Sequence, residues 1–561
     1  MLVTLLAWVY ISLLCYGWGD ATIKFISKIQ KSNQNPIYGF SITCFFGLAI
    51  IASISQVLSI FMGLGGIVVQ GIFLCPAIGF LWNHPSIHFR EIRAFAQNTH
   101  PIILFLLVSM LLMILTMSVY SITHPDTLAY HAQTIKWAER YRAIPGLVHI
   151  SYLYGLQNSW FLTCSVFSFS FTGTNALTFI NTTVIAWMLI FITQKMNSAI
   201  RKKDENYTAL LWFLLLVINL WTYTQIRLTV TSASPDFIAT MYILLTAYLC
   251  IRYNSLFEET RLLVIFLCFF TLTIKLSALP VVLLAFYLSY PFTRKNIIFS
   301  CLVSFFVIVP FLVRNIIISG HLVFPAAFPD IINTDWKFDT NKLSYINKYI
   351  LAFARTADNK TDPEKILHLP VGAWLQIWWL KLSLADKFII VLQFFSAIFF
   401  AINYKKIVVA NKTKKILLFM SVTGIIFWFL KAPDPRFGAG FLLLFPSLVF
   451  YSNPFIRKAE AVFTNSRLVV FLCLALGVVV VSYTGYRFVN YFKKSSLIYP
   501  EGIVIPYKSV YYDEINTCIP LFTPGNKNVT VINESVEKRP FDFRGNKPEQ
   551  GFKAKKNRVK Q

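Results

Sequence analysis

The chain has 561 residues, of which 56% are hydrophobic and only 14% charged, with a formal net charge of +26. The apolar residues come in long runs, which excludes an ordinary soluble domain. The positive charge would suit nucleic acid, but it is split into short clusters between those runs. Lys24/Lys28/Lys31, Arg201/Lys202/Lys203, Arg294/Lys295 and Lys405/Lys406/Lys414/Lys415 are the pattern of cytoplasmic membrane-protein loops, facing anionic lipid and not nucleic acid.

The pattern predicts an all-α polytopic membrane protein of about fourteen spans: 1–18, 38–60, 66–82, 101–120, 176–194, 208–226, 237–252, 262–274, 276–291, 296–318, 386–403, 416–431, 437–452 and 467–485. The first lacks a basic start and a small-residue cleavage site, so it reads as a span and not as a removed leader. The short pair 262–274 and 276–291, around Lys275 and Pro280, reads either as a tight helical hairpin or as one long broken helix. Residues 1–100 form N-terminal transmembrane helices, 101–485 a larger membrane module, and 486–561 a small β-containing tail that ends in disorder.

With the N-terminus outside, an even number of crossings separates each basic loop from the next. The outer face then receives 121–175, 227–236, 319–385, 432–436 and the tail. This arrangement requires 159–172 to lie on the membrane as an interfacial helix. Residues 126–142 read as an amphipathic surface helix on the spacing of Leu128, Ala132, Ile135 and Ala138, with Asp126 placed to cap it. Trp374, Trp378 and Trp379 suit a second interfacial helix. The nine cysteines lie mostly within spans without CxxC spacing, so neither a disulfide framework nor a zinc site is supported. Gly63-Leu-Gly-Gly66 is a tight turn, and no Walker or GxGxxG motif points to a nucleotide.

Two acids stand where a span meets water. His124-Pro125-Asp126-Thr127 follows 101–120, and Ser234-Pro235-Asp236 precedes 237–252. A carboxylate at such a boundary is costly unless water, a cation or a substrate compensates it. Asp126 is therefore a candidate general base, and Asp236 a candidate acceptor contact, together with His131, or a candidate metal ligand. Asp126 and Asp236 each also read as ordinary helix-start residues. Arg436, in Lys431-Ala-Pro-Asp434-Pro-Arg436-Phe437, is suited to hold a phosphate whose carrier stays in lipid, with Lys275 and Arg314 as further phosphate contacts. The bland reading of such cations is snorkelling, and Asp434 is a ready partner for Arg436. His124, His131 and His149 lack metal-ligand spacing.

The order of these features resembles the GT-C superfamily of integral membrane glycosyltransferases, which includes protein O-mannosyltransferases and the aminoarabinose transferase of lipid A. The resemblance spans about 101–450: Asp126 at the head of a large first outer loop, a turn at Phe171-Thr-Gly173-Thr-Asn175, and Asp236 at a later span start. Thr273-Ile-Lys275 between short spans and Arg436-Phe437 opening a span that ends near Pro446 complete it. The resemblance implies transfer of a sugar from a polyprenyl phosphate to a cell-surface glycan, lipid or protein, on the outer face of a bacterial inner membrane. Asp126 would be the base, and Arg436 and Lys275 would hold the phosphate. Three extra spans precede the usual first one. The first loop carries one acid where many relatives carry two adjacent ones, so a divalent metal is unsupported and no cofactor is expected. A glycan polymerase or ligase is the enzymatic alternative, and a flippase or transporter the non-enzymatic one.

Overall fold

The computed structural model describes residues 1–30, 38–82, 97–120, 122, 124–169, 177–202, 229–253, 258–358, 360–408, 412–450, 466–491, 494–498, 509–512, 529–532, 541–545 and 547–555. Among them, eight helices are long and apolar enough to cross a membrane: Leu2–Ile29, Phe40–Phe61, Phe179–Ser198, Asp236–Tyr253, Asn296–Ser319, Leu384–Lys405, Lys412–Lys431 and Phe471–Asn490. Shorter apolar helices stand among them at Ile67–Trp82, Pro101–Met117, Thr260–Ile274 and Pro435–Phe450. The expected span 208–226, the turn at 171–175 and the strand-like run 502–505 lie outside the described residues.

The helices divide by what they bury. Phe40–Phe61, Phe179–Ser198 and Asp236–Tyr253 are largely enclosed, whereas Asn296–Ser319, Leu384–Lys405 and Phe471–Asn490 are buried over only 17% of their apolar stretch. The exposed Phe305, Phe394 and Val479 of the second group form the kind of surface that hydrocarbon covers. The first two N-terminal helices pack onto this enclosed group. Tyr242 donates to the Phe45 carbonyl (2.9 Å) and Trp187 Nε1 to Ser12 Oγ (2.8 Å). Gly19 and Gly47 let the first two helices cross almost backbone to backbone, since a Cβ on Gly19 would collide with the Thr43 carbonyl and one on Gly47 with that of Cys15.

The helix Glu258–Ile274 stops at Lys275, whose backbone is extended (φ −155°, ψ 126°), and the chain then turns back through Leu276–Val281 and Val282–Leu288. Arg261 Nη2 donates to Asn296 Oδ1 (2.9 Å), and Asn296 Nδ2 to the Pro291 carbonyl (2.8 Å), so the turn that follows the return leg lies beside the start of its partner. The pair is a hairpin, and Lys275 sits at its apex.

Segments from several parts of the chain meet at one end of the bundle. The turn after Phe61 donates from Leu64 and Gly65 to the carbonyls of Ala138 and Glu139, at 2.8 and 3.0 Å. Ala143 bonds to Ser59 and Gly146 to Ile317, and Tyr120 donates to the Arg487 carbonyl. The strands Phe541–Phe543 and Phe552–Ala554 pair antiparallel. Phe541 and Phe552 are buried among Trp137, Ile144, Leu147 and Ile318, and the Phe552 N–H donates to the Pro145 carbonyl (2.9 Å). Gly146 (φ 69°) permits this approach, because any Cβ there would strike the Phe552 carbonyl. A second pair, Ser509–Tyr512 with Val529–Ile532, is parallel.

Two expectations for the outer segments are corrected here. Residues 126–142 are not a surface helix: a π-helical turn, Thr127–His131, leads into Ala132–Arg140, and Ala132 to Glu139 are all buried. The turn at 62–66, the helix Ser159–Val166 and the C-terminal strands enclose it. Its polar face is paired inside, with Lys136 Nζ 2.8 Å from Glu139 Oε2. Ser159–Val166, expected at the interface, is likewise buried at every residue.

Candidate functional site

Three helix starts converge on one cavity, and each is built to the same rule. A polar side chain that accepts from the first turn is followed by a proline and then a charged residue; Pro125 and Pro435 open their helices, and at 235 the helix opens with Asp236. Proline is tolerated at the first position because its missing N–H needs no partner there. At 125, the Asp126 and Thr127 N–H groups donate to His124 Nδ1 (3.1 and 3.4 Å). At 235, the Asp236 N–H donates to Ser234 Oγ (3.4 Å). At 435, the Arg436 N–H donates to Asp434 Oδ1 (3.1 Å). Asp126 is therefore not the cap. The cap is His124, two residues earlier, which leaves the Asp126 carboxylate without a capping hydrogen bond.

Asp126, Asp236, Arg436 and Lys275 share the cavity, which has a volume of about 460 Å³. Arg436 Nη1 lies 2.9 Å from Asp126 Oδ2, and its Nε 3.0 Å from Asp434 Oδ2, so one guanidinium bridges two carboxylates. Lys275 Nζ pairs with Asp236. Phe437 separates the two pairs and packs against both cations, with Lys275 Nζ 4.0 Å and the Arg436 guanidinium carbon 4.7 Å from its ring centre. The loop that presents Arg436 is held by two indoles. Trp378 Nε1 donates to the Pro433 carbonyl (2.6 Å) and Trp428 Nε1 to that of Asp434 (2.7 Å). Of the three tryptophans expected at headgroup level, Trp374 and Trp378 are buried in this support and Trp379 remains exposed.

Apolar side chains also line the cavity, beside the polar Tyr152, Gln157, Asn158 and Tyr349. Leu153 and Leu156 of the first loop, Phe324, and Ile350 and Phe353 of the helix Thr340–Thr356 line it. A lining that combines four charged side chains with hydrocarbon surface suits an amphipathic ligand whose head is ionic.

His131 also lines the cavity. Its Nδ1 is 3.1 Å from Thr127 Oγ1, and its ring packs against Tyr130 and Phe161 with centroids 4.4 and 4.8 Å away. Burial pushes its pKa down to about 3, so it is neutral at physiological pH. Burial likewise raises the Tyr130 phenol. Arg314 does not line the cavity. It is buried behind the wall, where Nε donates to Gln157 Oε1 (3.0 Å) and Nη1 to the Ser59 carbonyl (3.3 Å). It therefore supports Gln157, which does line the cavity.

Sequence reasoning missed His124, Gln157 and Trp428. The His-Pro-Asp spacing was signal enough for the first, because proline fixes which residue is the cap. Among the described residues, no three His, Cys, Asp or Glu side chains are grouped to hold a metal ion.

No curated protein and no solved structure matches the chain. A family model described as a domain of unknown function, DUF8201, matches residues 1–443, a stretch that contains every cavity residue named above. The match covers most of the chain, which therefore belongs to the DUF8201 family.

Proposed function

We propose that this protein is a membrane glycosyltransferase that moves a sugar from a polyprenyl-phosphate carrier to a glycan, lipid or protein acceptor at the outer face of the inner membrane. The observation that carries the reading is the meeting of Asp126, Asp236, Arg436 and Lys275 in one cavity that Leu153, Leu156, Phe324, Ile350 and Phe353 also line. Three helix N-termini contribute to the cavity's lining, and such termini favour anions.

In this reading the donor phosphate engages Arg436 and Lys275; at Arg436 it takes the place of Asp126, while Asp236 keeps its hold on Lys275. Asp126, released from Arg436, accepts the proton of an acceptor hydroxyl. The acceptor oxygen bonds to the anomeric carbon as the bond from that carbon to the phosphate oxygen breaks. The departing electron pair stays on the phosphate, stabilised by the two cations. Attack from the face opposite the leaving group inverts the sugar carbon. Asp236 orients Lys275 and contacts the acceptor, and the prenyl chain lies along the apolar walls. The fourteen-span arrangement, with both termini outside, belongs to the same reading.

The test is mass analysis of cell-surface glycans and lipids from cells expressing the wild type or Asp126→Asn at equal membrane levels. A species one sugar heavier should depend on the wild type and vanish in the variant. Unchanged glycans in the variant would sink the reading, and loss of chain length instead of a single sugar would mark a polymerase.

A further inference from the structure

The three caps at the cavity differ in one chemical respect. Ser234 and Asp434 cap with oxygen, but His124 caps with a ring nitrogen that accepts two backbone N–H groups. A ring nitrogen accepts only while it carries no proton. The geometry therefore assigns His124 as a neutral imidazole with its proton on Nε2. The side chain is buried, and its ring centroid lies 5.6 Å from that of His131. Burial lowers its pKa and Arg436 adds to this, while Asp126 and Asp236 oppose the shift. A proton on Nδ1 would set three N–H groups against one another at the first turn. No oxygen cap has that vulnerability near neutral pH.

We propose that His124 is a positioning residue for Asp126: its bare Nδ1 fixes the helix start that holds the Asp126 carboxylate at Arg436, and protonation of that nitrogen releases the carboxylate. The structural part stands whatever reaction the cavity performs, and only the activity arm below rests on the glycosyltransferase reading.

The experiment compares the full-length wild type, His124→Asn and His124→Ala in lipid nanodiscs. Asparagine keeps a capping acceptor and removes the titration, whereas alanine removes both. Hydrogen exchange of the segment 124–131, corrected for intrinsic rates, is followed from pH 8 to pH 4. Protection of the Asp126 and Thr127 amides should fall with pH in the wild type and stay level in H124N. In H124A it should be lower by about fivefold throughout, the worth of a lost cap. Wild-type protection in H124A overturns the proposal, and so do superimposable wild-type and H124N curves. If H124A does not insert, the wild-type and H124N curves alone decide.

In the activity arm, H124N should keep sugar transfer at pH values where the wild type has lost it. An active D126N would end the glycosyltransferase reading without touching the exchange result. Identical exchange curves would end the positioning role without touching D126N.

Discussion

The two acid-bearing helix starts, at 125 and at 235, share a local design and differ in everything around it. In both, a capped turn and a proline place an aspartate in the first turn of a helix, lining the cavity. Asp126 shares its cation with Asp434, and its side chain is 36% exposed. Asp236 has Lys275 beside it and is 18% exposed. The same backbone therefore yields one carboxylate that is easily released, because its arginine keeps a second partner, and one that is locked. Local sequence sets where an acid points, and the surroundings set whether it can act.

The largest expected effect separates the two acids by chemistry. Asp126→Asn should lower sugar transfer by about 100-fold or more, the scale of a lost general base, while Asp236→Asn should lower it less. Equal losses in a transfer assay would erase the distinction. Next in size is stability. Lys275→Met strands a mostly buried carboxylate and should cost about 3 kcal/mol, most of it recovered on adding Asp236→Asn. Thermal melts of the single and double variants in detergent would show this, and an additive double variant would mean that the pair is not coupled.

A third test uses pH. His131 has its folded pKa pushed down to about 3, below its ordinary value of 6.5, so the unfolded chain binds the proton first. Its contribution to stability is complete above pH 6.5 and is lost as pH falls from there toward 3, at up to about 1.4 kcal/mol per pH unit. His131→Phe should flatten the melting temperature across that window. The smallest effect is expected at the second cap, where Ser234→Ala should cost about 1 kcal/mol, measured by the same melts.

Much of the membrane body was legible because apolar runs of span length leave few alternatives. The acids and Arg436 stood out because charge at a membrane boundary needs a reason. The cap register was misread at Asp126: acids favour both the cap and the first turn, and only the position of Pro125 tells them apart. The burial of Ala132–Arg140 was not legible at all, because its cover comes from 62–66, from Ser159–Val166 and from strands near the other end of the chain. An amphipathic pattern records that one face is wet or paired, and Lys136 with Glu139 is the paired case. Arg314 looked like Arg436 in sequence, and only the helix packing turned it toward Gln157.

The docking of Phe541 and Phe552 against the segment 137–147 carries a consequence for biogenesis. Those strands leave the ribosome long after Trp137 and Leu147 do, beyond the stretch shared with the family. While synthesis continues, that segment's greasy patch has no cover of its own. In the topology proposed above, the hairpin must also cross the bilayer before it can supply one, so the vestibule is among the last parts of the molecule to mature.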